Sequence, residues 1–152
     1  MAETMNDKSP PAPDLTDDQL KTLLALLDTI LPASMDGRMP SAAELDFIAY
    51  LAADGAAFAP VLPGILDRLD AGFACWPLAD RVAAIKAFSA NDPQAFDDLL
   101  FRIYACYYQD DRVRSLIGSE PGPPFPRGNT IPAGDLSGLA GVVERSPGYR
   151  RV

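Results

Sequence analysis

From Asp92 to Gln109 the chain reads as one long amphipathic helix. Asp92-Pro93 supplies a cap and a first-turn proline. Phe96, Leu99, Leu100, Ile103 and Tyr107 then recur at three- and four-residue steps, which is one helical face. At about 100° per residue, Phe101, Tyr104 and Tyr108 fall on a second, flanking face. One apolar face is enough to dock a helix on a small core. A second face requires either burial within this chain or an aromatic patch shown to a partner, and the spacing leaves both open. Arg112 to Ile117 can add one further turn, closed by Gly118. After that the chain changes character: from 119 to 152, twelve of thirty-four residues are Pro or Gly. Such a segment buries too little apolar area to offset its own ordering entropy. It is therefore expected to be an extended arm that packs on the helical body, packs on another chain or stays mobile.

Four more helices precede this one. Thr16 and Gln19 form a capping box, and Leu15 and Leu20 can staple the first turn. Leu20, Leu23, Leu24, Leu27 and Leu31 follow as an apolar stripe, widened by Leu26 and Ile30 and ended by Pro32. Ser41 and Glu44 form a second capping box. A helix from there to about Ala53 places Leu45, Ile48, Leu51 and Ala52 on one side, with Phe47 and Tyr50 pointing elsewhere. A third helix is expected over roughly 60–73, with Val61, Leu62, Ile65, Leu66 and Leu69 inward. A fourth opens at Pro77 and turns Leu78, Val82, Ile85 and Phe88 inward. No alternating run with β-branched enrichment suggests a strand. The expected fold is all-α, a small bundle of about five helices with an extended Pro/Gly-rich C-terminal arm. Its parts are a disordered leader over 1–14, a helical domain over 15–118 and the arm over 119–152.

Composition narrows the chemistry. The net charge is −8 with thirteen Lys and Arg, which disfavours a phosphate-backbone binder. No run approaches the roughly 20 apolar residues of a membrane span. Residues 1–13 lack the basic start and apolar run of a secretion signal, so a cytoplasmic chain is expected. There is no histidine, which excludes a Ser-His-Asp site. Asp17-Asp18, Asp97-Asp98 and Asp110-Asp111 are adjacent pairs whose side chains diverge by about 100° on a helix, so they do not converge as an acid and a base. No calcium-loop ligand repeat and no P-loop lysine accompany the Gly-containing turns. Catalysis by this chain, and a metal or cofactor held by it, are not expected. Cys75 and Cys106 read either as buried or half-buried thiols or as disulfide partners, within the chain or across an interface.

Three stretches, in this order and spacing, resemble the gluconate 2-dehydrogenase subunit 3 family. The first is Asp28-Thr29-Ile30-Leu31-Pro32-Ala33 at the end of the leucine-rich helix. The second is Pro40 through Ile48, including Ser41 and Glu44. The third is Tyr107-Tyr108-Gln109-Asp110, with Gly118 and Gly122-Pro123-Pro124 after it. The resemblance implies a non-catalytic small subunit that binds and stabilises a large FAD-dependent dehydrogenase or oxidase of the glucose-methanol-choline type, acting on sugars or alcohols. The FAD would belong to the partner, and a cytochrome c electron acceptor is a further partner the family admits. Family members commonly begin with a twin-arginine export signal; residues 1–13 contain no arginine, which favours a cytoplasmic complex. The alternative within the same setting is a transient chaperone that escorts the flavoprotein during maturation. The expected contact residues are Tyr104, Tyr107 and Tyr108 on the helix and Gly122, Pro123, Pro124, Phe125 and Pro126 on the arm. Aromatics anchor interfaces by burying large areas with few rotors to freeze.

Overall fold

A computed structural model describes residues 13–119 together with Gly134. The described residues form six α-helices and two short 3-10 turns, with no strand among them: α1 (Asp17–Ile30), α2 (Phe47–Ala53), α3 (Leu62–Leu66), α4 (Leu78–Asn91), α5 (Pro93–Gln109) and α6 (Asp111–Leu116). The all-α expectation holds, with one short helix more than the five expected. The leader up to residue 12 and the arm beyond Ser119, apart from Gly134, lie outside the described residues.

Local chemistry sets the helix starts. Thr16 Oγ1 accepts from the Gln19 N–H at 3.2 Å, and the Thr16 N–H donates to Gln19 Oε1 at 3.0 Å, completing the capping box of α1. Asp92 ends α4 and begins α5: its N–H donates to the Phe88 carbonyl, and its carboxylate accepts from the Ala95 N–H. Asp110 plays the same double part, accepting from the Arg112 and Val113 amides to open α6. At the far end of α6, Gly118 adopts φ 77°, and the Ser119 and Gly118 amides reach back to the Arg114 and Ser115 carbonyls. That is the paired closure a left-handed glycine permits.

The core is lined by Leu23, Leu26 and Leu27 of α1, Phe47 and Leu51 of α2, Ile65 and Leu66 of α3, Phe73, Ile85 and Phe88, and Leu99 and Ile103 of α5. Several inward assignments change. Leu20 and Leu24 are 41% and 42% exposed, so the buried stripe of α1 turns toward Leu26. The cause is the brevity of α2. The Ser41–Glu44 capping box starts only a 3-10 turn over Ala42–Glu44, and α2 starts later, at Phe47, under an Asp46 cap. The resulting seven-residue helix leaves an open groove beside Leu20 and Leu24. Phe47, expected to point away, is buried with Leu51, while Ile48 is half-buried. The expected third helix contracts to five residues, and Phe73 reaches the core from a separate 3-10 turn. Leu78 lies on the solvent-facing first turn of α4.

The loop between α1 and α2 is pinned from three sides. The Ala42 N–H donates to the Leu31 carbonyl at 2.9 Å. The Ser41 hydroxyl donates to Asp28 at 2.8 Å, and Arg81 of α4 donates to the Ala25 carbonyl at 3.1 Å and stands 3.8 Å from Asp28. Across the core, the Tyr107 hydroxyl donates to the Pro40 carbonyl at 2.8 Å. Ser41 is 5% exposed, so both of its roles, donor to Asp28 and cap to the Ala43 amide, are sheltered from water. Ser41→Ala is expected to lower the unfolding free energy by about 1 kcal/mol. Urea unfolding followed by circular dichroism checks this; an unchanged midpoint would show that the hydroxyl contributes nothing.

Candidate functional site

The outer side of α5 is the candidate interface. With Leu99, Ile103 and Tyr107 turned inward, Phe101, Tyr104 and Tyr108 come out 63%, 41% and 51% exposed. The choice that spacing left open therefore resolves among the described residues: the flanking aromatic face lies on the surface. The row from Phe101 to Tyr108 spans about 10 Å of helix. Its rings are mutually arranged. Tyr104 and Tyr108 have centroids 6.3 Å apart, and Tyr108 meets the buried Tyr107 edge-on at 5.3 Å. The Arg102 guanidinium lies 5.3 Å from the Phe101 centroid, a cation–π contact.

Tyr107, expected as a contact, is a correction. It is 4% exposed, and its hydroxyl is committed to Pro40. Neighbouring residues on a helix diverge by about 100°, so Tyr107 faces the core while Tyr108 faces out. Burial, with Tyr108 alongside, raises the Tyr107 pKa above its ordinary value of 10.0, so the phenol, already a donor at neutral pH, stays one further into the alkaline range. Tyr104 and Tyr108 lie on the surface. Gly122, Pro123, Pro124, Phe125 and Pro126 lie outside the described residues.

Sequence reasoning missed Val61. It was assigned to the inner side of the third helix, but it is 52% exposed. Val61 and Phe101 both line an open groove of about 410 Å³, together with Phe58, Ile65 and Ala95. Pro60 and Pro63, which bracket Val61, are the one signal that could have warned of this, because they shorten α3 and leave Val61 ahead of its first turn. Leu20 and Leu24, also exposed, form a second apolar ridge on α1.

The described residues contain no group of three or more His, Cys, Asp or Glu positioned to hold a metal ion. No described helix is long and apolar enough to cross a membrane. Asp92, at the α4–α5 corner, has its pKa lowered by the Ala95 amide and by Arg68. A carboxylate with a depressed folded pKa contributes stability that is complete above its ordinary value of 3.8 and fades as the pH falls below it.

Neither cysteine is in a disulfide, and the two differ in environment. Cys75 is exposed, against the expectation of a buried or half-buried thiol. Cys106 is partly buried on α5, and burial with Asp110 nearby pushes its thiol up to about 11. A thiol that stays protonated is a poor nucleophile. In the native protein near neutral pH, an alkylating reagent is expected to modify Cys75 and to spare Cys106 until the chain unfolds. Intact-mass spectrometry over time, with and without urea, reads this directly; two labels at equal rates in the native state would contradict it. Comparison with protein-family models, characterised proteins and solved structures finds no match for this chain.

Proposed function

We propose that this chain is a non-catalytic small subunit that binds and stabilises a large FAD-dependent dehydrogenase or oxidase of the glucose-methanol-choline type. The observation that carries the reading is the exposed aromatic row Phe101, Tyr104 and Tyr108 on a helix whose opposite side is already fully seated in a core. The row lies outside the buried core, touching it only where Tyr108 meets Tyr107, and large exposed aromatics in a contiguous patch mark protein–protein contact sites.

The class of partner comes from the resemblance to the gluconate 2-dehydrogenase subunit 3 family, and the placement of the resembling stretches supports it. Asp28, Pro40, Ser41 and Tyr107 come from all three stretches and meet at the pinned α1–α2 loop. In this reading they form a scaffold that turns the neighbouring aromatics outward. The flavoprotein supplies the FAD and the chemistry, and the complex is cytoplasmic. Binding the folded partner stabilises it by mass action, in proportion to the logarithm of subunit concentration over the dissociation constant.

Co-expression with a large FAD-dependent dehydrogenase or oxidase of the glucose-methanol-choline type, taken from a neighbouring reading frame where one is found, tests the reading. A stoichiometric, FAD-containing complex on size exclusion is expected. Tyr108→Ala should weaken it by about 2 kcal/mol, the scale of an interface anchor. Tyr107→Phe should leave assembly unchanged while lowering the stability of the isolated chain by about 1 kcal/mol through the unpaired Pro40 carbonyl. A complex indifferent to Tyr108→Ala would remove that ring from the interface. Association with only the FAD-free, immature flavoprotein would make the chain an escort rather than a subunit.

A further inference from the structure

We infer that the α5 face is built for a basic partner surface. One apolar side chain of that partner seats in the groove between Val61 and Phe101, and Lys or Arg groups around it meet Asp97 and Asp98. The inference rests on the proposed function for the partner's identity, but the chemistry of the surface stands on its own.

Asp97 and Asp98 precede Phe101 by four and three residues, so all three share one side of the helix. Both carboxylates are exposed, and neither is in an ion pair among the described residues. Asp98 accepts a hydrogen bond at 3.1 Å from the Gln94 amide, which holds it at the groove edge. Arg102 is the one cation among the described groove residues, and it lies over the Phe101 ring.

The wider charge distribution points the same way. Residues 13–119 hold sixteen carboxylates and eight Lys and Arg, which equals the full charge of −8. Five of those eight cations, Lys21, Arg68, Arg81, Arg112 and Arg114, are already in ion pairs. The helical part therefore has few cations left to neutralise its own surface. A second copy of this chain is a poor occupant. A two-fold contact through this face would bring both copies of Asp97 and Asp98 together, on bodies that are each strongly negative. A partner with basic groups around an apolar centre satisfies both halves of the surface and is drawn to it at long range.

The test uses the full chain, ¹⁵N-labelled, and two synthetic amphipathic helical peptides, one of Leu and Lys and one of Leu and Glu. With the Leu/Lys peptide, amide shifts are expected to cluster at Val61, Asp97, Asp98, Phe101 and Tyr104, and raised salt should weaken binding. Phe101→Ala, which leaves the charge untouched, should weaken binding about ten-fold. The pair Asp97→Lys with Asp98→Lys should abolish binding, with circular dichroism confirming that each variant folds. Equal binding of the Leu/Glu peptide overturns the inference. So do shifts spread over the whole acidic surface with no loss from Phe101→Ala, or no binding at all. Failure of the wild-type chain to co-purify with the flavoprotein counts only against the proposed function, because the peptide titration reads the face without it.

Discussion

The hydrogen bond from the buried Tyr107 hydroxyl to the Pro40 carbonyl ties α5 to the α1–α2 loop. A phenol taken out of water without a partner costs roughly 1–3 kcal/mol, and Pro40 is itself fully buried, so neither group has an alternative in solvent. The bond ties the C-terminal part of α5 to the loop, while the buried Leu99, Ile103 and the Tyr107 ring hold the helix's rotation. With Leu99, Ile103 and Tyr107 together turned inward, the helical repeat leaves Phe101, Tyr104 and Tyr108 on the outer side. The aromatic surface is thus a geometric consequence of a core contact. The other end of the same bond is equally constrained, because Pro40 leads directly into Ser41, whose hydroxyl ties the loop to Asp28 on α1.

That chain of contacts joins α1, the α1–α2 loop, α4 and α5 through polar groups with little freedom to exchange partners. Arg81 illustrates the cost. Its guanidinium reaches the Ala25 carbonyl and approaches Asp28, yet its buried Nε has no hydrogen-bond partner among the described residues. Hydrophobic burial alone would tolerate small rotations of each helix; these directional bonds do not. A surface intended for docking benefits from such rigidity, since side chains already held in place lose less entropy when a partner arrives.

Caps were readable in the sequence because they depend on residues three or four apart. Thr16 with Gln19, Asp92 with Pro93, and Gly118 stand where local rules placed them, while the Ser41–Glu44 box forms but opens a 3-10 turn in place of the helix expected there. The facing of the leucines on α1 was less legible, because it depends on how far α2 extends, and α2 is shortened by an extended residue at Leu45 that spacing does not announce. Tyr107 shows a partial reading. Periodicity put it on the core stripe with Ile103, while its adjacency to Tyr108 suggested a shared surface role; the helical turn separates the two. The groove beside Val61 needed the tertiary approach of α3 to α5, which no single segment encodes.

Asp92 and Asp110 each end one helix and begin the next, with no spacer between. One side chain at each corner therefore governs the angle between two rods. An inserted or deleted residue at either point would swing everything that follows by about 100° and detach the cap in the same stroke. A length change should be better tolerated at the exposed turn Met35–Arg38 than at either corner between Leu78 and Leu116.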